Sequence, residues 1–319
     1  MLTEIAFPEF PDYKEFLLDD GTKIYHDRKS GEDIPSELRN VPAGSVVLTP
    51  RKLAAQEKYR KHQEYLERQK VECSEQQKLL GKYVFAAAEE ETFSDLSPDL
   101  LARAVYLATH LDFDSDTLWA TQRTPVKRSE LHKTLRLSES AADTFWRNVK
   151  NKYFYRSEDG CLHAKSQVFT MGHLTALPSV EYQKIYTAAL RELYEKIPSR
   201  QHKRLGYALK MLPHLNFQFN ILCHDPTVAE YNKIQPMTVA EFCENIGFDK
   251  AHASQLASDY GKLTFTVNGM QEVFCKFLSN GRDVSTAHIF INPRLVYKGS
   301  DFKKVEAVGI SFAADAKPV

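Results

Sequence analysis

Thr124–Phe169 reads TPVKRSELHKTLRLSESAADTFWRNVKNKYFYRSEDGCLHAKSQVF, and its pattern decides the fold. Pro125 is placed to open a helix in which Leu131 and Leu135 lie four apart. Leu137-Ser138 ends a tight turn, with Ser138 as N-cap of the next helix. Ala142, Phe145, Trp146 and Val149 then recur at i, i+3, i+4 and i+7, which makes them its buried face. Two helices joined by so short a turn form a helix-turn-helix. The following residues alternate around Asp159-Gly160, a strong hairpin dipeptide.

Working outward, Ser97-Pro98 reads as N-cap and first position of an earlier helix, with Leu101, Ala104, Val105, Ala108 and Leu111 on one face. DFDSDTLWATQR holds a loop with a brief strand. A helix, a helix-turn-helix and a β-hairpin, in that order, make a winged helix. The order occurs twice. ATHLDF (108–113) matches LPHLNF (212–217) at a spacing of 104, TPVKRSELHKTLRLS (124–138) matches QPMTVAEFCENIGFD (235–249) at 111, and VFTMG (168–172) matches LVYKG (295–299) at 127. The growing offset predicts longer loops in the second copy. There Ser199 precedes a helix that Pro213 ends, Met237–Ile246 is the next helix, and Gly247-Phe248-Asp249 supplies turn and N-cap. Gly261 is the expected C-cap of the following helix, Asn268-Gly269 a hairpin turn, and Ala287–Asn292 a further strand.

The expected fold is therefore mainly α with small β-hairpins (α+β), two winged helix-turn-helix modules in tandem. They occupy 81–175 and 176–300. Before them come an arm at 1–50, with a small hairpin at Lys23–Pro35 around Ser30-Gly31, and a connector helix at 51–80. Residues 301–319 read as a tail, mobile from Ser311. The connector lacks Gly and Pro and carries eight Lys/Arg against five Glu, so it suits either a solvated helix or a basic one lying on phosphates.

Several of these stretches resemble winged-helix proteins encoded by phages and plasmids of Gram-positive bacteria, often grouped with MarR-type regulators. They are FSDLSPDLLARAVYLATHLDFD (93–114) and TPVKRSELHKTLRLSESAADTFWRNV (124–149). IFINPRLVYKG (289–299) is similar to the wing-end motif of a small plasmid replication-initiator family. The resemblance covers about 80–175 well and 185–300 more loosely. It implies binding of double-stranded DNA, often as a dimer, in transcription regulation or replication initiation. The sequence departs from that pattern at Glu139 and Asp143, which put carboxylates in the presumed recognition helix. A carboxylate repels phosphate but accepts a hydrogen bond from cytosine N4.

The 319 residues carry 42 basic and 42 acidic side chains, a formal net charge of zero that excludes coating of nucleic acid by bulk charge. The sum hides unlike parts. Thr124–Arg156 has eight basic and three acidic residues, Glu89–Asp116 has one and eight, and Pro236–Gly299 has six of each. The first copy is thus the expected DNA contact. Lys127, Arg128, Arg147, Lys150 and Arg156 suit phosphate, and Ser140 and Thr144 suit base edges. The second copy, with neutral Ala251, His252, Ser254 and Gln255 in its helix, suits a homodimer or host-protein contact. A competing reading is a phage interaction protein that grips a host factor without any DNA role.

No enzyme reading gains support. There is no G-x-x-x-x-G-K-[ST], G-x-S-x-G or H-E-x-x-H, and no histidine pair of the nicking-initiator kind. Asp112, Asp114 and Asp116 open like a calcium loop, but Thr117 stands where that loop needs Gly and Arg123 where it needs Glu. No cofactor is implied. Five scattered cysteines, without C-x-x-C, suit a reducing cytoplasm. No apolar run is long enough for a membrane helix, and the acidic N-terminus does not read as a secretory signal.

Overall fold

The computed structural model describes residues 80–87, 90–172, 182–279, 283–299 and 303–318, together with strands at 13–17, 23–27 and 33–34 and helical residues 57–61 and 63–64. The chain divides into two compact units, Met1–Lys70 and Val71–Val319.

In the first unit, β1 (Tyr13–Leu17) pairs antiparallel with β2 (Lys23–Asp27), and β2 with β3 (Asp33–Ile34), His26 opposite Asp33. The second of these pairings is the hairpin expected at Lys23–Pro35; its Ser30-Gly31 turn and the rest of the arm lie outside the described residues. So does most of the 51–80 connector, whose described residues before Leu80 are helical.

The second unit is α+β. Each copy begins with a strand, β4 (Tyr83–Ala87) in the first and β10 (Tyr182–Tyr186) in the second, and the two pair antiparallel with Phe85 opposite Lys184. Each also closes with a short strand that returns to this sheet, β9 (Phe169–Thr170) beside β4 and β15 (Val296–Tyr297) beside β10. The order is β15-β10-β4-β9. Phe85 meets Thr170 as Lys184 meets Tyr297, so an approximate two-fold passes between Phe85 and Lys184.

The backbone repeats at the spacings of the sequence matches. Trp119 N–H donates to His110 O at 2.7 Å and Cys223 N–H to His214 O at 2.9 Å. Arg128 N–H reaches Gly160 O, and Val239 N–H reaches Ala287 O, both at 3.0 Å. Leu137 N–H bonds His132 O as Phe248 N–H bonds Cys243 O. The tight turn needs positive φ in each copy: Arg136 at 52° and Gly247 at 67°.

The helices are α1 (Pro98–Ala108), α2 (Leu131–Thr134) and α3 (Glu139–Val149) in the first copy, and α4 (Thr187–Lys196), α5 (His202–Leu209), α6 (Val239–Asn245) and α7 (Ala253–Gly261) in the second. α1 packs on α5 across the two-fold, closely enough that a Cβ on Gly206 would stand 1.5 Å from Pro98 O. One apolar core runs through both copies, with Leu101, Phe145, Leu205 and Phe242 all buried in it.

Four local expectations differ from the structure. Pro125 lies on β6 (Thr124–Pro125), paired with β5 (Trp119–Thr121), because Val126 N–H is drawn to Leu118 O at 2.8 Å; helical geometry begins only at Arg128. α5 ends at Leu209, before Pro213, which sits in a separate short 3-10 turn. Gly261 is the last residue of α7 with right-handed Lys262 after it, not a left-handed cap. The end of the chain, expected as a tail, carries α8 (Lys303–Ala314) and β16 (Lys317–Pro318). Val305 and Phe312 of α8 are buried, and β16 pairs with β12 (Met270–Val273), the second strand of an extra hairpin after β11 (Thr264–Val267). Among the described residues, no helix is long and apolar enough to cross a membrane.

Candidate nucleic-acid interface

α3 is built as its sequence predicts. Ser138 Oγ accepts from Ala141 N–H, and Ala142, Phe145, Trp146 and Val149 are buried. With the apolar stripe committed inward, Glu139, Ser140, Asp143, Thr144 and Arg147 remain exposed on the opposite face. The hairpin of β7 (Phe154–Arg156) and β8 (Leu162–Ala164) stands beside it, turned by Gly160 at φ 86°. Between helix and hairpin lies a groove of about 540 Å³, lined by Lys127, Arg128, Asp143, Trp146, Arg156 and Gly160 among others.

The base of the hairpin is tied to the loop that follows α1. Tyr155 Oη donates to Asp116, and His163 Nδ1 faces the same carboxylate at 3.1 Å. The hydrogen bond to Asp116 raises the Tyr155 phenol to about 12. Burial acts against Asp116, but the bonds from Tyr155 and His163 together hold it below its ordinary value. Asp116, read above as part of a possible calcium loop, is thus occupied as a hydrogen-bond acceptor. Among the described residues, no group of three or more His, Cys, Asp or Glu is placed to hold a metal. At the hairpin tip, the Ser157 hydroxyl and the Cys161 thiol and N–H all bond Asp159, lowering its carboxyl to about 2.

The eight basic residues of 124–156 divide into two groups. Four meet carboxylates: Arg128 with Asp143, Lys133 with Glu130 at 3.4 Å, Arg136 with Glu195 at 2.7 Å, and Lys152 with Asp95 at 2.9 Å. Lys127, Arg147, Lys150 and Arg156 are exposed and have no carboxylate partner among the described residues. Arg147 Nη2 instead donates to Thr144 Oγ1 at 3.1 Å, and that hydroxyl donates to Ser140 O at 3.0 Å. Ser140, Thr144 and Arg147, selected from sequence, therefore form one connected strip. Arg128 stands apart from the others. It is half-buried, with its guanidinium 5.6 Å from the Trp146 ring centroid. Sequence reading missed both Trp146 as its platform and Asp143 as its partner. Fifteen residues separate Arg128 from Asp143, a spacing with no local periodicity to reveal it.

The second copy holds the same positions with different chemistry. At the offset of 111, Lys127 corresponds to Thr238, Arg128 to Val239, Arg147 to Ser258 and Lys150 to Gly261, and strand register matches hairpin Arg156, opposite Leu162, to Phe277, opposite Ile289. The buried set is kept apolar: Ala142, Phe145, Trp146 and Val149 become Ala253, Leu256, Ala257 and Tyr260, all buried. Its hairpin of β13 (Cys275–Leu278) and β14 (His288–Ile291) is also engaged by α8, since Lys276 Nζ bonds Ser311 O and Asp315 and lies 5.1 Å from the Phe312 ring.

The two copies are held in register by aromatic and ionic contacts. Tyr106 stacks on Tyr194 with centroids 3.8 Å apart, Tyr194 Oη donates to Leu135 O at 2.8 Å, and Glu195 joins Tyr106 to Arg136. Burial raises the Tyr106 phenol to about 12, with Glu195 adding to the effect.

No known family model matches the chain, and no curated protein or solved structure does either.

Proposed function

We propose that this is a non-enzymatic protein that binds duplex DNA, a transcription regulator or replication initiator of the phage and plasmid type. In this reading its two copies are tandem winged helices, and the first makes the contact. One observation carries the reading. At the five matched positions named above the first copy bears basic residues and the second bears none, while both keep an apolar buried set. Folding does not require that difference, because the second copy keeps the same backbone bonds without it. A solvated face needs no such concentration of charge, whereas a phosphate backbone does.

The recognition helix would be α3, entering the major groove with Ser140 and Thr144 toward base edges. Lys127, Arg147, Lys150 and hairpin Arg156 would take phosphates. Arg128 is reassigned from phosphate to a supporting role, since Asp143 and Trp146 occupy its guanidinium. The second copy would serve a homodimer or a partner protein.

Fluorescence anisotropy of the full chain with labelled duplex DNA, over a KCl series, tests the proposal. Binding that weakens steeply with salt is expected. No binding at about 50 mM salt, where phosphate contacts are strong, would remove the DNA role. The host-protein reading, favoured by exposed Glu139 on the same face, would then be tested by pull-down.

A further inference from the structure

We infer that Asp143 reads a cytosine in the DNA site and that Arg128, braced on Trp146, is its positioning residue. This rests on the reading of the first copy as the DNA-contacting module. Both carboxylates of α3, Glu139 and Asp143, are exposed on the face that carries Ser140, Thr144 and Arg147. Among the described residues only Asp143 of the two is held: Arg128 Nη2 donates to its Oδ1. The pair is graded in depth, because the Arg128 side chain is 22% exposed and that of Asp143 is 61% exposed. The cation therefore lies underneath, against a Trp146 that is 7% exposed, and the carboxylate is the outermost group. Its other oxygen, Oδ2, has no hydrogen-bond partner among the described residues.

A carboxylate offers only acceptors. Guanine O6 and N7 and thymine O4 are acceptors and repel it. Adenine N6 donates, but N7 beside it is an acceptor. Cytosine N4 donates, and the rest of cytosine's own major-groove edge is the C5–H with no acceptor, so cytosine is the base this group fits. Arg128 has a second effect. It makes the pair neutral overall, so the carboxylate approaches the phosphates without the full repulsion of a lone Asp. The second copy has Val239, Ser254 and Ala257 in place of Arg128, Asp143 and Trp146, which confines this device to the first copy.

The experiment is a selection from a randomised duplex library, followed by affinity measurements on single-base variants of the selected site. It uses the full chain as wild type, D143A and R128M. Wild type is expected to fix one C·G pair, with replacement by T·A weakening binding about tenfold. D143A should keep the rest of the site, lose discrimination at that pair, and bind unrelated duplex at least as tightly as wild type. R128M should blur the same pair and no other. Asp143 is exposed, so D143A is expected to fold, and circular dichroism checks it. If D143A discriminates at every pair as wild type does, or wild type fixes no C·G pair, the inference falls while the DNA reading stands. If wild type binds no duplex at all, both fall.

Discussion

In the proposed reading, the salt dependence of duplex binding should separate the four cations that have no carboxylate partner among the described residues from the four that meet carboxylates. Each phosphate neutralised releases condensed counterions and contributes about −0.9 to the slope of log K against log salt. With Lys127, Arg147, Lys150 and Arg156 as the contacts, the slope is expected near −3.6, and near −7 if all eight basic residues took part. Between 50 and 200 mM KCl the smaller value corresponds to a loss of about 150-fold in affinity. Arg147→Ala should bring the slope to about −2.7 and the loss to about 40-fold. Lys152→Ala is the control. Its Nζ lies 2.9 Å from Asp95, so its removal frees a carboxylate and leaves the slope unchanged. Anisotropy titrations at four or five salt concentrations resolve these values. An Arg147→Ala slope equal to wild type, or a Lys152→Ala slope that falls as much, would refute the assignment of contacts.

Three further outcomes concern the frame that carries this face. Gly206→Ala puts a Cβ 1.5 Å from Pro98 O and 2.1 Å from its carbonyl carbon, both backbone atoms that cannot swing aside. Overpacking of roughly 1–3 kcal/mol or more should outweigh the ~1 kcal/mol helix-propensity gain, so the thermal midpoint falls; an unchanged midpoint would contradict the close crossing of α1 and α5. His110 and His202 are both lowered to about 4, chiefly by burial, with Arg191 and Arg103 adding to it. Between pH 6.5 and 4 the unfolded chain takes up protons that the folded one refuses, so stability declines as pH drops through that window and levels off below it. For His110 the loss is up to roughly 3 kcal/mol, read as a falling urea midpoint; a flat midpoint across the window is the adverse result. Phe312→Ala removes a ring that is 1% exposed and should cost about 3 kcal/mol if α8 is part of the folded unit, whereas a tail would lose nothing in urea unfolding.

Much of this structure was readable because local physics specified it. The period of Ala142, Phe145, Trp146 and Val149 and the cap at Ser138 place α3, and Asp159-Gly160 and Asn268-Gly269 turn their hairpins with positive φ. The repeat offsets in sequence reappear as equivalent backbone hydrogen bonds. The central sheet was hidden for the opposite reason. β4 is buried along nearly its whole length and so lacks alternation. β10 carries Gln183 and Lys184, buried polar residues whose partners, Leu212 O and Gly299 O, lie 29 and 115 residues away. At the candidate interface, composition alone named the basic residues and the copy that holds them. Which of those charges remain free was settled by long-range closure, as in Arg136 with Glu195 and Arg128 with Asp143. An ion pair depends on where two side chains meet in space. Spacing along the chain carries that information only within a helical turn or a hairpin.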